Sequence, residues 1–128
     1  MSEASTPIWP PQEGYFTTRL VRGGPLVTVR IWHGNAIIDG EEQDRGVDWR
    51  VEIDGKTDRW EKDENTGYRC RVALPVDRAW PYCLGNRIDK ATYDYMRAHA
   101  DWARTNAPNH PNANPRQAVD LSKTAPIF

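Results

Sequence analysis

The strongest pattern of apolar and polar positions lies between Arg87 and Arg104. At about 100° per residue, Ile88, Ala91, Tyr95, Met96, Ala98, His99, Trp102 and Ala103 gather on one broad side. Lys90, Asp94, Arg97, Asp101 and Arg104 fill the opposite arc. Asp89 is placed to cap this helix, and Asn106-Ala107-Pro108 to stop it. So wide an apolar side must be covered, and the N-terminal half supplies strands to cover it.

Tyr15 to Arg22 and Leu26 to Trp32 read as two strands joined at Gly23-Gly24-Pro25. Val27, Val29 and Ile31 alternate with Thr28, Arg30 and Trp32, which predicts one buried face, with Phe16 and Leu20 as inward partners. His33 to Gly46 reads as a loop with turn chemistry at Gly34-Asn35 and Asp39-Gly40. Val47 to Ile53 is the cleanest strand, and Asp54-Gly55 turns it. A hydrophilic stretch runs to Gly67, and alternation resumes from Tyr68 to Leu74 until Pro75. Around Asp77 to Cys83 a short helical turn fits, limited by Pro81.

The expected class is α+β: an antiparallel sheet of about four strands, open or curled like a barrel, packed on one C-terminal helix. Residues 1–14 form a proline-rich extended arm anchored by Ile8 and Trp9. The domain proper spans 15–106. Residues 107–128 form an Asn/Pro-rich tail with no packed element expected, pinned by Val119, Leu121, Ile127 and Phe128.

Composition narrows the partners. The charge is nearly balanced, 17 basic against 18 acidic residues, which argues against a strongly polyanion-binding protein. Cys70 and Cys83 are too few for a disulfide scaffold and read as reduced, buried thiols in a cytoplasmic protein. With no export signal and no apolar run near 18 residues, membrane insertion is not expected.

Catalytic chemistry finds little support. His33, His99 and His110 are scattered, and His99 on the helix's apolar side reads as a core or edge histidine. Asp63-Glu64-Asn65-Thr66-Gly67 resembles a calcium loop faintly, but its glycine comes one position early and no glutamate closes it; a hairpin turn fits better. The run Glu41-Glu42-Gln43-Asp44 reads as a solvated loop. No nucleophile elbow or phosphate loop occurs. The carboxylates between Asp39 and Glu64 would serve a small metal-dependent hydrolase or nuclease only if a cleft gathered them. No cofactor or metal is expected, and the balance is against an enzyme.

Arginine carries more information. Thirteen of the 17 basic residues are Arg, several beside aromatic residues, and arginine both forks onto anions and stacks on rings. If Val27, Val29 and Ile31 face the long helix, Arg30 and Trp32 share the outer face with Arg19, Arg50, Arg69 and Arg71. These six are the candidate binding residues, for a protein partner or for single-stranded nucleic acid held by charge and stacking. The plainer reading is cross-strand pairing with Asp48, Glu52 and Asp54. Charge is segregated: residues 37–67 hold 11 acidic and 5 basic residues, residues 68–104 hold 7 basic and 4 acidic. Such a surface suits protein partners with matching patches, or head-to-tail self-association.

Several motifs resemble small uncharacterised proteins of tailed phages and prophages of proteobacteria. They are Gly14-Tyr15-Phe16, Arg19-Leu20-Val21-Arg22-Gly23-Gly24-Pro25, Val29-Arg30-Ile31-Trp32, Trp80-Pro81-Tyr82-Cys83 and Gly85-Asn86-Arg87-Ile88. Tyr93, Tyr95, Ala107-Pro108, Asn114-Pro115-Arg116, Val119-Asp120-Leu121 and Pro126-Ile127-Phe128 complete the set. The resemblance implies a phage accessory protein acting in the bacterial cytoplasm, with no activity attached to particular residues. The expected function is contact with a host or phage protein, as an inhibitor of host defence or a partner of DNA-processing machinery.

Overall fold

The computed structural model describes residues 9–117. A four-stranded antiparallel sheet runs in the order β3-β2-β1-β6, from β1 (Gly14–Arg19), β2 (Leu26–Ile38), β3 (Glu41–Ile53) and β6 (Arg87–Ile88). β4 (Asp58–Lys62) and β5 (Arg69–Ala73) form a separate two-stranded hairpin. The helices are α1 (Val76–Cys83) and α2 (Lys90–Asn106), followed by a 3-10 turn at Pro111–Ala113. The expected α+β class is observed, with the sheet open rather than closed. The expected anchoring by Ile8, and by Val119, Leu121, Ile127 and Phe128, lies outside the described residues.

Alternation on β2 holds as expected. Val29 pairs with Phe16 and Ile53, and Ile31 with Val51, so these side chains share one face. That face meets Val76, Trp80 and Cys83 of α1 in the main core, where the Phe16 and Trp80 rings pack edge to face at 5.4 Å. The cover of the aliphatic face is therefore α1, not the long helix. Cys83 is fully buried, and burial pushes its thiol up to about 11. Cys70, expected inside, is exposed on β5.

The long helix α2 packs on the other face. Tyr15, Arg30 and Glu52 lie opposite one another across three strands. Tyr93 of α2 sits on this row, its ring 4.7 Å from Tyr15 and its hydroxyl donating to the Glu52 carboxylate. Asp89 caps the helix by accepting from Thr92 N–H at 2.8 Å, which holds its carboxyl below the usual range. The inward stripe is Tyr93, Met96, Arg97, Ala100, Ala103 and Arg104, while Tyr95 and Trp102 are exposed. The helix is thus rotated from the orientation its hydrophobicity predicts. The cause is the buried carboxylate of Asp54, which accepts from both Arg97 and Arg104. Alanines let the helix approach, and two arginines neutralise a charge that would otherwise be costly to bury. Along the helix Lys90 pairs with Asp94, and Arg97 and Arg104 both pair with Asp101 as well as reaching Asp54.

Three further expectations are corrected. Residues 33–46 are not a loop, because β2 and β3 continue to a two-residue turn at Asp39-Gly40, both with positive φ. Their register jumps from Gly34–Asp48 to Ala36–Gln43, so residues 44–47 bulge out and the hairpin bends. Its end lies against β4: Thr57 donates to the Ile37 carbonyl at 2.7 Å, and Asp39 N–H donates to Asp58 at 2.6 Å. The hydrophilic stretch before Gly67 contains β4, and Asp63-to-Gly67 is the β4–β5 turn, with Asn65 N–H donating to Asp63 at 2.8 Å. The first part of the Asn/Pro-rich tail does pack: His110 lies edge-on to His99 at 5.3 Å, and Pro115 is buried. At the N-terminal side Arg87 donates to Gln12 and to the Glu13 carbonyl, and Trp9 is half exposed.

Candidate functional site

The six candidate residues do not form one face. Arg19, Arg30, Trp32 and Arg50 lie opposite the aliphatic side of the main sheet, whereas Arg69 and Arg71 belong to the β4–β5 hairpin. Arg30 is partly covered beneath α2 and stacks over Trp32 at 4.9 Å. Trp32 is itself partly buried, with its indole N–H donating to the Asn35 carbonyl at 3.2 Å. Arg50 donates to the carbonyls of Gly34 and Gly46, each at 3.2 Å, and so braces both sides of the bulge. Arg19 donates to the Gly24 carbonyl in the β1–β2 connection. Most donors on this face are occupied in holding backbone, which leaves little for a partner.

Arg71 is placed differently. Trp60 and Arg71 face each other across β4 and β5, with the guanidinium 4.7 Å from the indole ring. Arg71 also donates to Asp58 at 3.0 Å, which fixes it over the ring. Arg69 pairs with Lys62 at the exposed end of the same hairpin.

Beside Trp60 and Arg71 lies a groove of about 870 Å³, where the hairpin, the start of α1, the end of α2 and residues 113–117 meet. Leu20, Ile53, Leu74, Pro75 and Ala79 contribute apolar surface. Lys56, Arg59, Arg71, Arg78, Arg104 and Arg116 supply cations, against the carboxylates of Asp54 and Asp58. Asp54 is neutralised by Arg97 and Arg104, and Asp58 by Arg71. Arg78, Arg116 and Lys56 make no ion pair among the described residues, so the groove has a surplus of positive charge.

No cluster of three or more metal-ligating side chains occurs among the described residues. The carboxylates of 39–64 are spread over the bent hairpin, β3 and β4 instead of converging. Sequence reasoning singled out Arg71, but missed Arg78, Arg104 and Arg116. Their only signal was charge on separate elements, which nothing local could assemble. No helix among the described residues is long and apolar enough to cross a membrane. Compared with protein-family models, with curated proteins and with solved structures, the chain matches none.

Proposed function

We propose that this protein acts as a binding protein, by contact between its cationic groove and an extended acidic segment of another protein. The observation that carries this reading is the juxtaposition of Arg78, Arg116 and Lys56, which have no ion pair among the described residues, with apolar surface and a fixed Trp60–Arg71 pair. Carboxylates of the segment would meet the arginines, and interspersed apolar side chains would cover the groove's apolar surface. The resemblance to phage-encoded proteins supplies the setting: a host or phage protein inside an infected bacterium.

Single-stranded nucleic acid is the competing occupant, since Trp60 offers a stacking surface. The acidic β2–β3 hairpin disfavours it. Asp39 contacts Asp58 directly, and Glu41, Glu42 and Asp44 follow on the same exposed end. A long polyanion leaving the groove on that side would meet this negative wall, whereas a short acidic peptide need not.

The test is fluorescence anisotropy with a labelled peptide of alternating Asp and Leu, beside an oligo-dT probe. The expected result is peptide binding near about 10 μM that weakens with salt and falls about tenfold in Arg78→Glu. Absence of peptide binding at low salt overturns the proposal. Tighter binding of the oligonucleotide replaces it with the nucleic-acid reading.

A further inference from the structure

In its backbone ladder β4 pairs with β5 alone, while the Asp58 side chain is held by Asp39 N–H and Arg71. Leu74 N–H donates to the Thr57 carbonyl at 3.1 Å, and Asp63 N–H to the Tyr68 carbonyl at 2.8 Å. Because bonded and non-bonded pairs alternate in an antiparallel ladder, these two bonds fix the phase of the strand. Thr57, Arg59, Glu61 and Asp63 turn their backbone groups toward β5. Asp58, Trp60 and Lys62 turn theirs toward the open edge.

The strand reads Asp-Arg-Trp-Glu-Lys, which is its own electrostatic complement when run backwards. We propose that two copies of this chain pair antiparallel through the free edge of β4, about a two-fold axis at Trp60. In that register Asp58 faces Lys62 of the second copy, Arg59 faces its Glu61, and Trp60 faces its Trp60. The residues that meet at bonded positions are those whose N–H and C=O point outward, so the same register satisfies hydrogen bonding and charge together. Sliding to the next register of the same phase, in either direction, would set Arg59 against Arg59 or Glu61 against Glu61, which is unfavourable. The sequence therefore specifies the register as well as the pairing.

Other features of the strand agree. Trp60 is 52% exposed, and pairing would bring the two rings together on one side of the joined sheet. Arg59 and Glu61 contact each other at 3.2 Å along their own strand, at a solvated site where exchange for the partner's charges costs little. An isolated two-stranded hairpin is marginal, and a bare edge is a liability unless something covers it. Two-fold pairing turns two such hairpins into a closed, four-stranded unit, β5-β4-β4-β5. It also places the two grooves on the same side of that unit, so a partner with two acidic segments would gain by avidity.

Sedimentation velocity of the full chain over a dilution series up to about 100 μM tests the pairing. The expected result is a concentration-dependent monomer–dimer equilibrium. Arg59→Glu should weaken it about tenfold or more, and Arg59→Glu with Glu61→Arg should restore it. Lys62→Pro should also weaken it, since Pro there removes only an outward N–H and leaves the β4–β5 ladder intact. Circular dichroism melts verify that each variant is folded. A chain that stays monomeric throughout overturns the proposal, as does a dimer indifferent to both Arg59→Glu and Lys62→Pro, or a charge-swapped variant that stays weak. Although β4 also borders the groove, the two readings separate: Arg78→Glu should weaken peptide binding and leave the dimer unchanged.

Discussion

The two faces of the four-stranded sheet are covered by helices of opposite character. On one, the short α1 seats Trp80 and Cys83 against Phe16, Val29, Ile31 and Val51 in an apolar core. On the other, the longer α2 approaches through alanines and is fastened by Tyr93–Glu52 and by Arg97 and Arg104 on Asp54. The first face is held by area removed from water, which scales with aromatic and branched side chains. The second is held by directional polar contacts, whose net contribution is smaller but whose loss leaves buried groups unpaired. Length and periodicity thus do not tell which helix builds a core. The eight residues of α1 do more of that work than the seventeen of α2.

Removing the core anchor should have the largest effect. Trp80→Ala should cost about 3–5 kcal/mol in urea unfolding, enough to threaten folding altogether. Asp54→Ala should come next, at about 2 kcal/mol, because Arg97 and Arg104 keep their charge and lose a buried acceptor while retaining some access to water. If Asp54→Ala proved the costlier change, the ranking of the faces would be reversed.

Alkaline pH strikes both faces by the same route. The Cys83 thiol is raised to about 11 by burial, and the Tyr93 hydroxyl is raised above its ordinary value by burial and by the Glu52 carboxylate. Below their unfolded values both groups are protonated in either state, and their stabilisation is complete. As pH rises from about 9 toward 11 the unfolded thiol ionises while the folded one resists, so stability falls, with tyrosine adding to the loss above about 10. Cys83→Ala should flatten the first part of that decline, measured by melting temperature against pH, at the cost of a small cavity. A decline as steep as in the parent between pH 9 and 10 would contradict the burial of Cys83.

The smallest expected effect separates the observed helix orientation from the one that hydrophobicity predicts. Trp102→Ser should change stability by no more than about 0.5 kcal/mol, because the ring is half exposed on the outer side of α2. Were Trp102 part of the covered stripe, the same substitution would cost several times as much.

Much of this architecture is legible in local sequence. Alternation identifies β2 and the end of β3, Asp54-Gly55 and Asp39-Gly40 mark two-residue turns, and Asp89 marks the start of α2. Glycine is required at position 55 because φ is +82° and a Cβ would fall 2.3 Å from the Arg97 guanidinium. What escapes local reading shares one physical cause, dependence on distant partners. Glu41 to Asp44 and Asp58 to Lys62 lack apolar alternation, since their strands are solvated on exposed surfaces and held by ladder bonds. The facing of α2 is decided by Asp54, which precedes Arg97 by more than forty residues. The groove needs Leu20, Ile53, Arg78 and Arg116 from four separate elements, so no window of sequence contains it. The single arginine face failed because alternation assigns sides within one sheet and cannot reveal that Arg69 and Arg71 belong to another.

The central claim is that contact is made at the groove beside β4 and not across the Arg30–Trp32 face. It is tested most directly by titrating the acidic peptide against Arg78→Glu and Arg30→Ala in parallel, with both variants verified as folded by thermal melt. The account predicts about a tenfold loss of affinity in Arg78→Glu and none in Arg30→Ala. The reverse pattern would contradict it and return the contact surface to the main sheet.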